Sequence, residues 1–195
     1  PIEAMRILQN VSTHCYLLES AQANEAWGRY TFLGYDPKLE INCIDGHMKL
    51  GKLSVETENP SEYIRQILSE YKSPKFDYLP SFTGGLVGYF SYDYLGYKEK
   101  SIRGKARDTE DFKDVDLMLF DKVIAFDNLC QKIILIANMS LDAPETGYNK
   151  AIVELKQLRE LLMHGEKKQN MGGKLLGEVT PLFDKEQYCE MVEKA

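Results

Sequence analysis

Helical spacing of apolar residues appears in only a few places along this chain. Elsewhere they cluster in short runs bounded by glycine, asparagine and aspartate. Pro1 to Leu8 enters directly on a helical pattern. Asn59-Pro60-Ser61-Glu62 supplies an N-cap, a proline at the first helical position and an acid in the first turn. It predicts a helix whose stripe runs through Tyr63, Ile67 and Leu68 to about Lys72. A longer helix begins near Thr146, carries Ile152, Leu155, Leu158 and Leu162 on one stripe, and closes at His164 with Gly165 as its C-cap. Asp184 and Gln187 have the spacing of a capping box, and the helix they open presents Tyr188, Met191 and Val192.

Between these helices the pattern is that of hairpins. Lys38 to Ile44 and His47 to Val55 flank Asp45-Gly46, a pair suited to a two-residue turn. Leu117 to Phe126 and Lys132 to Met139 flank a turn at Asp127-Asn128. Groups of strands interrupted by a few helices predict an α+β fold with an antiparallel sheet core, not an alternating parallel sheet. Glu166 to Gly177 is polar, with glycine and lysine, and reads as a linker. The reading divides the chain into 1–165, a linker over 166–180, and the opening of a further domain at 181–195. The helix that begins at Asp184 stops with its apolar face intact and no C-cap, so the chain reads as a fragment of a longer protein.

Charge and cysteine usage narrow the classes. The 195 residues carry a net charge of −6, and the short basic runs at Lys98-Glu99-Lys100 and Lys167-Lys168 are flanked by acids. This disfavours nucleic acid and anionic membranes as partners, since both demand clustered cations. No apolar run reaches the ~18 residues of a membrane span, and no signal peptide opens the chain. Cys15, Cys43, Cys130 and Cys189 are widely spaced, as are His14, His47 and His164, without metal-ligand spacing. Reduced thiols and a cytoplasmic location follow as expectations. His14 beside Cys15 invites a nucleophile–base reading, but neighbouring strand residues point to opposite faces.

Three phrases concentrate the remaining chemistry. Leu17-Leu18-Glu19-Ser20 ends an apolar strand on a carboxylate and a hydroxyl, the two groups that a free amino acid's ammonium and its surroundings require. The alternative is a solvated Glu19 and a Ser20 that caps the next turn. Gly28-Arg29-Tyr30-Thr31-Phe32-Leu33-Gly34-Tyr35-Asp36-Pro37 puts Arg29 ahead of a strand, where it meets either a ligand carboxylate or, by preference, one of the protein's own acids. Phe82-Thr83-Gly84-Gly85-Leu86-Val87-Gly88-Tyr89-Phe90-Ser91-Tyr92-Asp93 lacks the lysine and hydroxyl of a phosphate-binding loop and the spacing of a dinucleotide fingerprint. Its glycines instead predict a strand backbone passing close to a neighbour or a ligand.

Taken together, the three phrases resemble the N-terminal domain of the anthranilate synthase component I family, and the likeness runs over nearly the whole chain. The segment from Phe183 to Lys194 similarly resembles the opening helix of that family's chorismate-binding domain. The resemblance implies a lyase that converts chorismate and ammonia into anthranilate and pyruvate in tryptophan biosynthesis. A partner glutamine amidotransferase draws the ammonia from glutamine, and Mg²⁺ sits in the chorismate site. It implies that Glu19 and Ser20 belong to the L-tryptophan site of allosteric feedback inhibition. It also implies that catalytic and metal-binding residues lie outside 1–195, so that this stretch alone is inactive. The neighbouring alternatives are component I of aminodeoxychorismate synthase, from folate synthesis, and a free-standing amino-acid-binding module.

Overall fold

A computed structural model describes residues 1–20, 28–102, 110–169 and 172–195. The chain opens with helix α1 (Ile2–Val11) and strands β1 (Cys15–Leu18) and β2 (Tyr30–Tyr35). Strands β3 (Leu39–Ile44), β4 (His47–Leu50) and β5 (Leu53–Glu56) follow, then helix α2 (Pro60–Glu70) and strand β6 (Gly85–Phe90). After a short 3₁₀ turn at Tyr92–Tyr97 come β7 (Val115–Phe120), β8 (Lys122–Asp127) and β9 (Lys132–Ala137), and then helices α3 (Pro144–His164) and α4 (Lys185–Lys194). The strands form a 4-stranded sheet in the order β1-β2-β8-β9 and a 5-stranded sheet in the order β5-β4-β3-β7-β6. Every pairing is antiparallel, as an α+β fold predicts.

One expected strand is two. The apolar run from Leu117 to Phe126 breaks at Asp121, so that β7 belongs to the 5-stranded sheet and β8 to the 4-stranded one. The charged pair Asp121-Lys122 marks the break, while the apolar residues on either side lack the alternation that would assign the two halves to different sheets. The chain makes a second crossing between the sheets from β2 to β3, and the two crossings lie side by side. The Lys38 N–H donates to the Leu119 carbonyl at 2.8 Å. Lys122 pairs with Asp36 at 3.1 Å and Lys38 approaches Asp121 at 3.8 Å.

The second hairpin partner also splits. His47 to Val55 turns at Gly51-Lys52, giving β4 and β5 in register through Met48↔Val55. The Asp45-Gly46 turn forms as predicted, with φ of 48° and 85°, the left-handed pair a tight hairpin needs.

Each sheet has its own core. Ile64 and Ile67 of α2 pack on Ile41, Cys43, Met48, Val115, Leu117 and Leu119 of the 5-stranded sheet. The predicted stripe is therefore shifted: Ile64 is buried, while Leu68 is 45% exposed. On the 4-stranded sheet, Leu8 of α1 and Leu158 of α3 close over Leu33 and Ile124. Gly165 ends α3 in an extended conformation, with φ of −65°, not in the left-handed one of a glycine cap. Its role is close approach, because a Cβ there would lie 2.4 Å from the Leu161 carbonyl oxygen and 2.6 Å from Ile7. The capping box of α4 forms in full: the Asp184 carboxylate accepts from the Gln187 N–H at 2.8 Å, and the Gln187 side chain accepts from the Asp184 N–H at 3.1 Å. Every residue of α4 is exposed.

Candidate functional site

Strand β1 is short, yet both of its faces are held. Leu17 and Cys15 point toward α1 and α3 and join the core around Leu33. Tyr16 points the other way, its ring 4.7 Å from Phe120 and 6.3 Å from Phe82, both edge-on. Opposite it in register stands Gly34 of β2, where a Cβ would lie 2.1 Å from the Tyr16 ring. The glycine of the second phrase thus makes the seat for an aromatic from the strand of the first. Burial pushes the Tyr16 phenol far above its ordinary range, and its hydroxyl is buried without a partner.

The strand so anchored ends at Leu18, which is 44% exposed and paired with Phe32. Glu19 and Ser20 follow immediately, both exposed. These two candidate residues are neighbours in the chain and lie just beyond the last paired residue of β1, Leu18, which stands opposite Phe32. Phe32 lies 5.8 Å from Tyr30 and 5.6 Å from Phe82. Phe82 opens the third phrase, so all three phrases meet at this end of the 4-stranded sheet.

Arg29 resolves in favour of the structural pairing. Its Nε and Nη2 donate to the two carboxylate oxygens of Asp127 at 3.2 and 2.8 Å, in the forked geometry that arginine favours. Asp127 is 1% exposed and also accepts the Cys130 N–H at 3.0 Å. The guanidinium holds the Asp127 carboxyl well below the usual carboxylate range, and the carboxylate raises Arg29 in turn. The sequence reading treated Asp127 only as a turn residue. Its partner is 98 positions away, and no local pattern announces such a pair.

The glycines of the third phrase work at close quarters, as their composition predicts. Gly88 has φ of 152°, and a Cβ there would sit 1.9 Å from the Asp116 carbonyl oxygen of β7. Beyond them Tyr89, Phe90 and Tyr92 stand exposed. The Tyr97 hydroxyl donates to the Asp114 carboxylate at 2.7 Å and accepts from the Gly46 N–H at 2.7 Å, tying the 3₁₀ turn to the β3–β4 hairpin. The sequence carried no sign of this link.

His14 and Cys15 diverge. The His14 ring faces Thr13 and Glu40, at 3.3 and 3.5 Å, whereas the Cys15 thiol faces the Ser12 carbonyl at 3.6 Å and is pushed up by burial. Among the described residues no group of three or more His, Cys, Asp and Glu side chains could hold a metal ion. No helix among them is long and apolar enough to cross a membrane.

Comparison with known proteins follows the same lines. Residues 13–195 match the family model described as chorismate binding enzyme. Anthranilate synthase component 1 of Pseudomonas aeruginosa is 36% identical over 155 residues, covering 75% of this chain and 31% of that protein. The component 1 of Acetivibrio thermocellus is 30% identical over 202 residues, covering 94% of this chain and 40% of that protein. The chain thus spans about a third of the length of such relatives. The crystal structure of anthranilate synthase component I from Streptococcus pneumoniae TIGR4 superposes with a TM-score of 0.54 over 72% of this chain and 32% of that one. Their sequences are 23% identical, so this likeness concerns the fold.

Proposed function

This chain belongs to the chorismate binding enzyme family, and we propose that it serves as the N-terminal, regulatory part of an anthranilate synthase component I. The division proposed is a scaffold over 1–165, a linker over 166–180 and the start of the chorismate-binding domain at 181–195. The whole protein would convert chorismate and ammonia into anthranilate, pyruvate and water. Ammonia would come from glutamine through a component II amidotransferase. Mg²⁺, when bound, would supply charge neutralisation at the chorismate carboxylates, outside this stretch.

What this part would contribute is the L-tryptophan feedback site. The observation that carries the reading is the anchored end of β1. Leu17 and Tyr16 hold the strand from opposite faces, and this anchoring supports a reading in which Glu19 and Ser20, next along the chain, would be presented to a ligand. A carboxylate there would meet the ligand ammonium in a charge-assisted hydrogen bond, and the Ser20 hydroxyl would accept or donate alongside it. The half-buried aromatic cluster of Tyr30, Phe32 and Phe82 would give an indole an apolar neighbour. Neither residue would touch chorismate, so the site would act by favouring one conformation of the whole enzyme.

The test is tryptophan inhibition of the full-length protein. Glu19→Ala and Ser20→Ala are each expected to weaken inhibition roughly ten- to hundredfold, the effect of one lost charge-assisted hydrogen bond, with uninhibited turnover unchanged. Feedback coupling is only ~1–3 kcal/mol, so such a loss abolishes useful control. Wild-type sensitivity in both variants would mean that β1 simply ends there.

A further inference from the structure

A cavity lies away from Glu19 and Ser20, where the chain crosses between the two sheets. It encloses about 960 Å³, a size typical of small-molecule sites. Its floor includes Leu119 and Ile136, at the junction of β7, β8 and β9, and its wall is the segment that follows α2, with Tyr71 and Phe76. Both rings are only half covered, 43% and 45% exposed, so they offer aromatic surface to an occupant.

The lining also carries charge of both signs, Lys38 and Lys72 against Glu70, Asp121 and Asp142, and within it Lys38 and Asn138 are the groups placed to meet a ligand beside the rings. The Lys38 ammonium stands 5.0 Å from the centre of the Tyr71 ring, and its carboxylate neighbour Asp121 is at 3.8 Å, longer than a good hydrogen bond. An incoming carboxylate can therefore make the closer contact. Asn138 is fixed by its own amide, whose Nδ2 donates to the Thr83 carbonyl at 2.7 Å and the Asp121 carbonyl at 3.0 Å. With both amide hydrogens used, Oδ1 remains as an oriented acceptor. Gly84 keeps this arrangement possible, since a Cβ there would sit 2.7 Å from Asn138 Nδ2.

A cation over a ring, an oriented acceptor and two half-covered aromatics describe a ligand with matching parts. We propose that this cavity binds an aromatic carboxylate bearing an amino group: the carboxylate on Lys38, the amino hydrogens toward Asn138 Oδ1, and the ring against Tyr71 and Phe76. The site is separate from the strand-end site proposed above and stands without it.

The probe is 2-aminobenzoate, titrated into the 195-residue chain and followed by its own fluorescence anisotropy. Saturable binding at one site is expected, with benzoate competing more weakly than 4-aminobenzoate because it lacks the amino donor. Lys38→Met should weaken binding about tenfold or more. Tyr71→Ser, on the exposed wall, should weaken it as well and serves if Lys38→Met fails to fold. Glu19→Ala should bind as wild type. Absence of saturable binding overturns the proposal, as does undiminished affinity in a folded Lys38→Met or Tyr71→Ser. Loss in Glu19→Ala alone would move the ligand to the end of β1 and equally overturn it.

Discussion

The two sheets solve the same problem of coverage differently. The 4-stranded sheet is covered on both faces around β1, by α1 and α3 on one side and by the aromatic pair Phe82 and Phe120 on the other. The 5-stranded sheet has α2 over its core, while its edge strand β6 ends in exposed Tyr89 and Phe90. Coverage on both faces anchors a strand of only four residues, which ends just before Glu19 and Ser20. The open edge leaves aromatic surface that soluble domains usually cover with a partner. The candidate ligand site lies at the end of the doubly covered strand, and the new cavity lies at the seam between the sheets.

The most damaging way to break the 5-stranded sheet is to separate β6 from β7. Gly88→Ala drives a methyl into the Asp116 carbonyl from a backbone conformation that L-residues avoid. A loss of roughly 4 kcal/mol or more is expected, read as a fall in the urea midpoint. In the 4-stranded sheet, Leu158→Ala empties a fully buried position beneath Leu8 and Leu33, and about 3 kcal/mol should be lost in the same measurement. If Leu158→Ala costs no more than an exposed substitution, the helices do not hold β1 as described.

The Arg29–Asp127 pair sharpens the comparison through pH. The folded-state pKa of Asp127 is lowered, so its stabilisation is complete above the unfolded value near 3.9 and is lost as pH falls below it. Arg29→Ala should therefore lower the denaturation midpoint at pH 7, and the gap to wild type should narrow between about pH 4 and pH 2. A gap independent of pH would assign the loss to packing against Tyr30, over which the guanidinium sits at 4.8 Å. The smallest effect is expected beyond α3. Leu176→Ser, at a position 97% exposed, should shift stability by less than about 0.5 kcal/mol.

Much of this architecture was legible because the signals are local. The Asp184–Gln187 capping box, the Asp45-Gly46 turn and the proline at the start of α2 each depend on residues within a few positions of one another. The three phrases likewise marked segments that pack together, through Tyr16, Phe32 and Phe82. What misled was continuity: Leu117 to Phe126 is apolar on both sides of Asp121-Lys122, and that polar pair, the local mark of the crossing, does not by itself say that the two halves join different sheets. The α2 stripe was displaced for a related reason, since the neighbouring sheet decides which of several adjacent apolar residues lies beneath the helix.

By itself the sequence determined the kinds of elements, most of their ends, the antiparallel α+β class and the strand that delivers Glu19 and Ser20. Only tertiary structure decided that Arg29 belongs to Asp127, that Phe82 closes over Tyr16 and Phe32, and that Lys38, Tyr71 and Asn138 share one cavity. The division follows from the physics. Caps and turns are satisfied by hydrogen bonds within a few residues, whereas a buried carboxylate or an aromatic seat takes whatever partner the fold delivers, at any distance along the chain.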